Sequence, residues 1–110
     1  MGADDNPMRI RLRTGKMVLT VAQRSKLKLQ LGLALGRFGD RIDRVVGHVW
    51  DEGSRGAPDR RCLIEVDLRA RRISIEEGDG DLLVALRRAA ARASRSVARA
   101  LERQRRLDGP

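Results

Sequence analysis

The sequence predicts a single α+β domain in the order β-α-β-β-β-α, a four-stranded sheet with two helices packed on one face. Three observations lead there. Residues 61–69 are the clearest strand, with Cys62, Ile64, Val66 and Leu68 facing one way and Glu65, Asp67 and Arg69 the other, which is the period of a half-buried strand. Residues 81–107 instead place Leu83, Leu86, Ala90, Ala93, Val97 and Leu101 at helical spacing in a segment rich in Ala, Leu and Arg. A chain of 110 residues is the size of one domain and leaves no room for a second independent core.

Residues 1–7 carry Asp4 and Asp5 and no apolar run, and read as a disordered lead-in; the domain proper spans 8–107, and 108–110 form a tail. Residues 8–14 alternate Met8, Ile10 and Leu12 with Arg9, Arg11 and Arg13, giving a first strand closed by Gly15. Thr20 is a suitable N-cap for the segment that begins at Val21.

Residues 21–38 carry two conflicting signals. Leu27, Leu29, Leu31, Leu33 and Leu35 alternate as a strand does, and Gly32 and Gly36 weaken a helix. Yet Leu27, Leu31, Ala34, Leu35 and Phe38 also fit one helical face, Leu is a good helix former, and no β-branched residue follows Val21. Helix is the reading adopted, with Gly39 as its stop. Strands follow at 44–52, 61–69 and 73–77, separated by the Gly- and Pro-containing loop 53–59 and a short turn at 70–72, so that three consecutive strands form an antiparallel meander. The final helix starts from an acidic N-cap, Asp81.

Phe38 and Trp50 are the only aromatic residues, so the core must come from Leu, Val, Ile and Ala. The chain has 24 Lys and Arg against 15 Asp and Glu, a formal charge of +9. Such an excess repels itself in a compact fold, and a polyanion relieves the repulsion while releasing its own counterions. Most of the excess is Arg, whose planar guanidinium binds phosphate through two hydrogen bonds and stacks on bases, which favours nucleic acid over lipid. Among residues 82–107 the only acid is Glu102, while Arg88, Arg92, Arg95, Arg99, Arg103 and Arg106 recur at steps of three and four, a stripe roughly opposite the apolar face. With almost no acid along the helix for i, i+4 pairing, the stripe is expected to be largely uncompensated. The first helix adds Arg24, Lys26, Lys28 and Arg37, with no acid between Thr20 and Gly39. With both helices on one side of the sheet, their basic faces are expected to adjoin as a groove that follows A-form phosphates by shape.

Catalysis, metal binding and membrane insertion find no support in the residues. One cysteine, Cys62, cannot close an internal disulfide and suits a small core position; one histidine, His48, cannot make a metal site with it alone. The adjacent acids Asp51 and Glu52, and Glu76 and Glu77, sit on strands and point to opposite faces, so neither pair converges on a substrate. Trp50 reads as a partly buried sheet residue, with base stacking as the alternative. No Gly-rich phosphate loop and no apolar run of membrane-spanning length is present. The expectation is a non-enzymatic, cytoplasmic protein without cofactor or small-molecule substrate.

In this order of elements the chain resembles the ribosome hibernation promoting factor and ribosome-associated inhibitor family, over nearly the whole domain. Leu35-Gly36-Arg37-Phe38-Gly39-Asp40-Arg41-Ile42 is similar to the family's Leu, aromatic and Asp-Arg-Ile stretch before the second strand. Gly80-Asp81-Leu82-Leu83-Val84-Ala85-Leu86 is similar to its segment opening the second helix, with Leu83 where the family has Tyr and Arg87 where an acid commonly follows. The resemblance implies binding to small-subunit rRNA in the channel used by messenger and transfer RNA, inhibiting translation in resting or stressed cells. The basic faces of the two helices supply the expected RNA-binding set: Arg24, Lys26, Lys28, Arg37, Arg87, Arg88, Arg92, Arg95, Arg99 and Arg103. Two alternatives fit the same residues: a general double-stranded RNA-binding module, and a structural protein docking an acidic partner.

Overall fold

The structure, a computed structural model, describes residues 9–109; the lead-in 1–7, Met8 of the first strand and Pro110 of the tail lie outside the described residues. The elements run β1 (Ile10–Gly15), α1 (Val21–Leu35), a 3-10 segment (Gly36–Arg41), β2 (Ile42–Asp51), β3 (Arg60–Leu68), β4 (Arg72–Asp79) and α2 (Leu82–Asp108). The expected order β-α-β-β-β-α is the observed one. The sheet order is β1-β2-β3-β4, with β1 parallel to β2 and the other two pairings antiparallel.

Both helices cover the same face. Their buried residues Leu27, Leu31, Leu35, Leu86, Ala89, Ala93 and Val97 share one core with Leu12, Val45, Val49, Cys62, Ile64, Val66, Ile73 and Ile75 from the strands. The registers Val45↔Val66 and Ile64↔Ile75 place apolar side chains side by side on that face. Gly47 belongs to the same row: a Cβ there would sit 3.1 Å from Leu12 Cδ1 and 3.4 Å from Leu31 Cδ1, so its absence lets α1 lie close on the sheet.

The conflict over the first helix resolves by burial. Leu27, Leu31 and Leu35, four residues apart, are 3%, 0% and 0% exposed, whereas the intervening Leu29 and Leu33 are 59% and 69% exposed. A leucine at every second position winds around a helix, and only the i, i+4 subset can face a core. Thr20 caps the helix as expected, in a capping box: Gln23 N donates to Thr20 Oγ1 at 3.0 Å and Thr20 N to Gln23 Oε1 at 2.8 Å. The α-helix ends at Leu35 rather than Phe38. The 3-10 segment takes over at Gly36, and Gly39, at φ 56°, makes the turn that a residue with a side chain would resist.

No helix among the described residues covers the other face of the sheet. Arg11 and Arg13 stand there beside Val46 and His48, with Arg61, Glu65, Asp67 and Glu76 further across. Its acids are matched: Arg44 and Arg72 on Asp67 at 3.2 and 2.6 Å, Arg61 on Glu76 at 2.7 Å, His48 on Glu65 at 3.2 Å. Trp50 is partly buried and its Nε1 donates to Glu52 at 2.9 Å. Cys62 is fully buried, and burial pushes its thiol up to about 12.

The end of β2 is held by Asp51, whose carboxylate accepts from Gly53 N at 2.7 Å and Asp59 N at 3.1 Å and pairs with Arg60 at 2.9 Å. The backbone donors, followed by Arg60, hold Asp51 below its ordinary value of 3.8. A carboxyl lowered on folding favours the fold above that ordinary value, and its contribution fades as pH falls through the lowered one. Amide exchange at Gly53 and Asp59 is therefore expected to quicken below pH 4 once intrinsic acid slowing is corrected for. Exchange that follows the intrinsic profile alone would contradict the bracing role of Asp51.

Candidate nucleic-acid interface

The second helix is the scaffold of the basic surface. Asp81 caps it, accepting from Leu83 N at 2.9 Å and Val84 N at 3.4 Å, and its 27 residues make a rod of roughly 40 Å at ~1.5 Å per residue. Ala85, Leu86, Ala89, Ala90, Ala93, Val97 and Ala100 are the side it buries. At about 100° per residue, Arg88, Arg92, Arg95, Arg99 and Arg103 fall within an arc of about 80°, centred about 120° from the middle of that buried side. The stripe is thus a flank and not the outer crest, and it leans over β4.

Two consequences correct the sequence reading. The stripe is compensated at its start: Arg88 pairs with Asp79 at 3.3 Å and Arg92 with Glu77, while Arg106 pairs with Glu102 at 3.0 Å. Asp79 and Glu77 continue the row of Ile73 and Ile75 on the helix-covered face of β4, so the acids come from another element and no search along α2 could find them. Arg95, Arg99 and Arg103 have no acid within ion-pairing distance among the described residues.

The second correction concerns the groove between the helices. Arg37 sits 4.5 Å over the Phe38 ring and donates to Ser94 Oγ at 2.9 Å, which fixes the flank of α2 that faces α1. Arg87, seven residues before Ser94, lies on that same flank. Lys26 lines a cleft with Gln23, Leu82 and Leu83 at the other end of the seam. Arg24 turns away, its guanidinium bonded to Leu12 O of β1 at 3.0 Å, and Lys28 is about 200° around α1 from Lys26. The ten residues therefore do not converge in one groove. Lys26, Arg37 and Arg87 follow the helix seam; Arg88, Arg92, Arg95, Arg99 and Arg103 follow the β4 edge; Arg24 and Lys28 belong to neither.

Along the β4 edge the structure adds residues that the sequence reading passed over. Arg71, Ser74, Ser96, Arg99 and Arg103 line a groove of about 300 Å³ between β4 and α2. Arg71 lies in the turn before β4, and Ser96 supplies a hydroxyl donor, while Ser74, opposite Glu65, belongs to the row that points to the other face of the sheet. Knowing that β4 is an edge strand lying beneath α2 is the signal that singles them out. Guanidinium and hydroxyl donors on an acid-free groove are suited to phosphate oxygens.

No protein-family model matches this chain, and no curated protein matches it. Among solved structures, the N-terminal domain of Protein Y from Thermus thermophilus matches with a TM-score of 0.66 at 28% identity, over 84% of this chain and 98% of that one. The chain is similar to that domain of Protein Y. A ribosomal subunit interface protein from Coxiella burnetii superposes with a TM-score of 0.74 over 86% of this chain and 99% of that one; at 12% identity it speaks for the fold alone. The resemblance drawn from residues 35–42 and 80–86 is thus met by solved structures across nearly the whole domain.

Proposed function

We propose that this chain is a ribosome hibernation factor that binds small-subunit rRNA in the channel for messenger and transfer RNA and inhibits translation by occupancy, in the cytoplasm of resting or stressed cells. The similarity to Protein Y over 98% of that domain is the observation that carries the reading. The arginines provide the physical means. Arg71, Arg95, Arg99 and Arg103 offer four guanidinium groups along one edge that are unpaired among the described residues, and Lys26, Arg37 and Arg87 offer a second basic line along the helix seam. Two separated lines suit a partner that surrounds the domain, as an RNA-lined channel does, better than a single straight duplex. Nothing in this mode of action calls for a reacting group, and His48 and most of the acids are engaged in ion pairs or caps.

Sucrose-gradient profiles from growing and starved cells test the proposal. The protein is expected with small subunits and ribosomes, and more of it there after starvation. Its confinement to the top of the gradient in both states would overturn the ribosomal reading.

A further inference from the structure

A second site lies at the far end of the molecule, where the 3-10 segment, the start of β2, the β3–β4 turn and the last turns of α2 meet. Asp40, Asp43, Arg41, Arg69, Leu101 and Arg105 line a cleft of about 370 Å³ there. It adjoins a smaller hollow of about 180 Å³ that shares Arg41, Leu101 and Arg105 and reaches Phe38 and Ala98. The larger cleft alone falls within the range of small-molecule sites, about 300–1000 Å³.

The carboxylates are the unusual part. Among the described acids whose side chains are placed, most are held in ion pairs, while Glu52 accepts from Trp50 and Asp81 caps α2. Asp40 and Asp43 alone make neither an ion pair nor a side-chain hydrogen bond among the described residues. Both face the same cleft as three arginines that likewise have no acid partner among the described residues. The backbone sets this up. The β2–β3 register slips between Ile42 and Arg44, so Ile42 turns into the core at 3% exposure and Asp43 is left over as a bulge residue aimed at the cleft.

A ligand for such a place needs paired hydrogen-bond donors for a carboxylate, anionic oxygens for guanidinium groups, and a flat apolar body for Leu101, Ala98 and Phe38. Guanine nucleotides have all three. The N1–H and N2–H of guanine present two adjacent donors to one carboxylate, and adenine has no such pair on that edge. We propose that this cleft binds one guanine nucleotide unit, with its base against Leu101, its Watson–Crick edge on Asp43 or Asp40, and its phosphate on Arg69 and Arg105. The unit is either an unstacked guanosine of an RNA strand or a free guanine nucleotide.

The test is titration of the 15N-labelled full chain with GMP, AMP and inorganic phosphate, followed at the amides of Asp40, Asp43, Arg69 and Gln104. Saturable shifts are expected with GMP, at an affinity about ten-fold or more above that for AMP, the discrimination of one bidentate base contact. Asp43→Asn together with Asp40→Asn should remove the preference and leave weak binding of both nucleotides; Arg69→Gln with Arg105→Gln should weaken both alike. All four side chains are exposed, so the variants should fold, as the unshifted amide spectrum elsewhere would show. Equal shifts with GMP, AMP and phosphate, or none with any, would overturn the proposal. A G-containing single-stranded hexamer compared with its A-containing counterpart separates the sources: a stronger response to the G hexamer than to GMP assigns the site to RNA, the reverse to free nucleotide. The proposal stands apart from the ribosomal reading, because GMP binding should persist when Arg95, Arg99 and Arg103 are replaced by Gln.

Discussion

Replacing Leu31 by Ala should destabilise the protein by about 2–5 kcal/mol, while the same change at Leu33 should shift stability by no more than about 0.5 kcal/mol. The two leucines are two positions apart and identical in chemistry. Leu31 is fully buried beneath α1, in contact distance of the row that includes Gly47, and Ala there leaves a cavity that the closely packed sheet cannot collapse into. Leu33 projects to solvent, and Ala improves helix propensity slightly. Urea unfolding of both variants measures the difference. Equal losses would mean that the two leucines share one buried face, as they would on a strand, and that contradicts the placement of α1.

Replacing Arg71, Arg95, Arg99 and Arg103 together by Gln should lower the log-log salt slope of RNA or ribosome binding by about 3, at ~0.7–0.9 for each phosphate no longer neutralised. The fold should survive. None of the four supports the core, Gln has a similar helix propensity to Arg at the three positions in α2, and circular dichroism checks the helix content. Glu77→Gln should act in the opposite sense. It releases Arg92 from its ion pair and steepens the slope by about 0.7–0.9, at a stability cost of about 1 kcal/mol or less for an exposed pair. An unchanged slope in the quadruple variant with the helix intact would reduce the β4-edge arginines to a solvated face.

The elements behind these two expectations differ in how far they can be read from the chain. Strand β3 and helix α2 are legible because each has a single period: Cys62, Ile64, Val66 and Leu68 alternate into the core, and Leu86, Ala93 and Val97 share one side of α2. Helix α1 is less so, since leucines all around it erase the contrast between its faces, and only the core above Leu27, Leu31 and Leu35 decides which ones are buried. The arginines of α2 were legible as a stripe, but their environment was not. Asp79 and Glu77 reach two of them from β4, and Arg71 joins the others from a turn, relations that exist only once β4 is an edge strand under the helix. The groove expected between the helices failed for the same reason: Arg37 bonded to Ser94 shows that α1 faces the flank of α2 bearing Arg87, not the flank bearing the stripe.

If the protein works by occupying an RNA-lined channel on the small subunit, purified small subunits test it directly. Labelled protein bound to them at moderate salt is expected to be displaced by transfer RNA together with messenger RNA, with competition that is mutual and complete at saturation. Binding that persists at saturating transfer and messenger RNA, or that is matched in strength by any unrelated RNA duplex, would contradict action by occupancy of that channel.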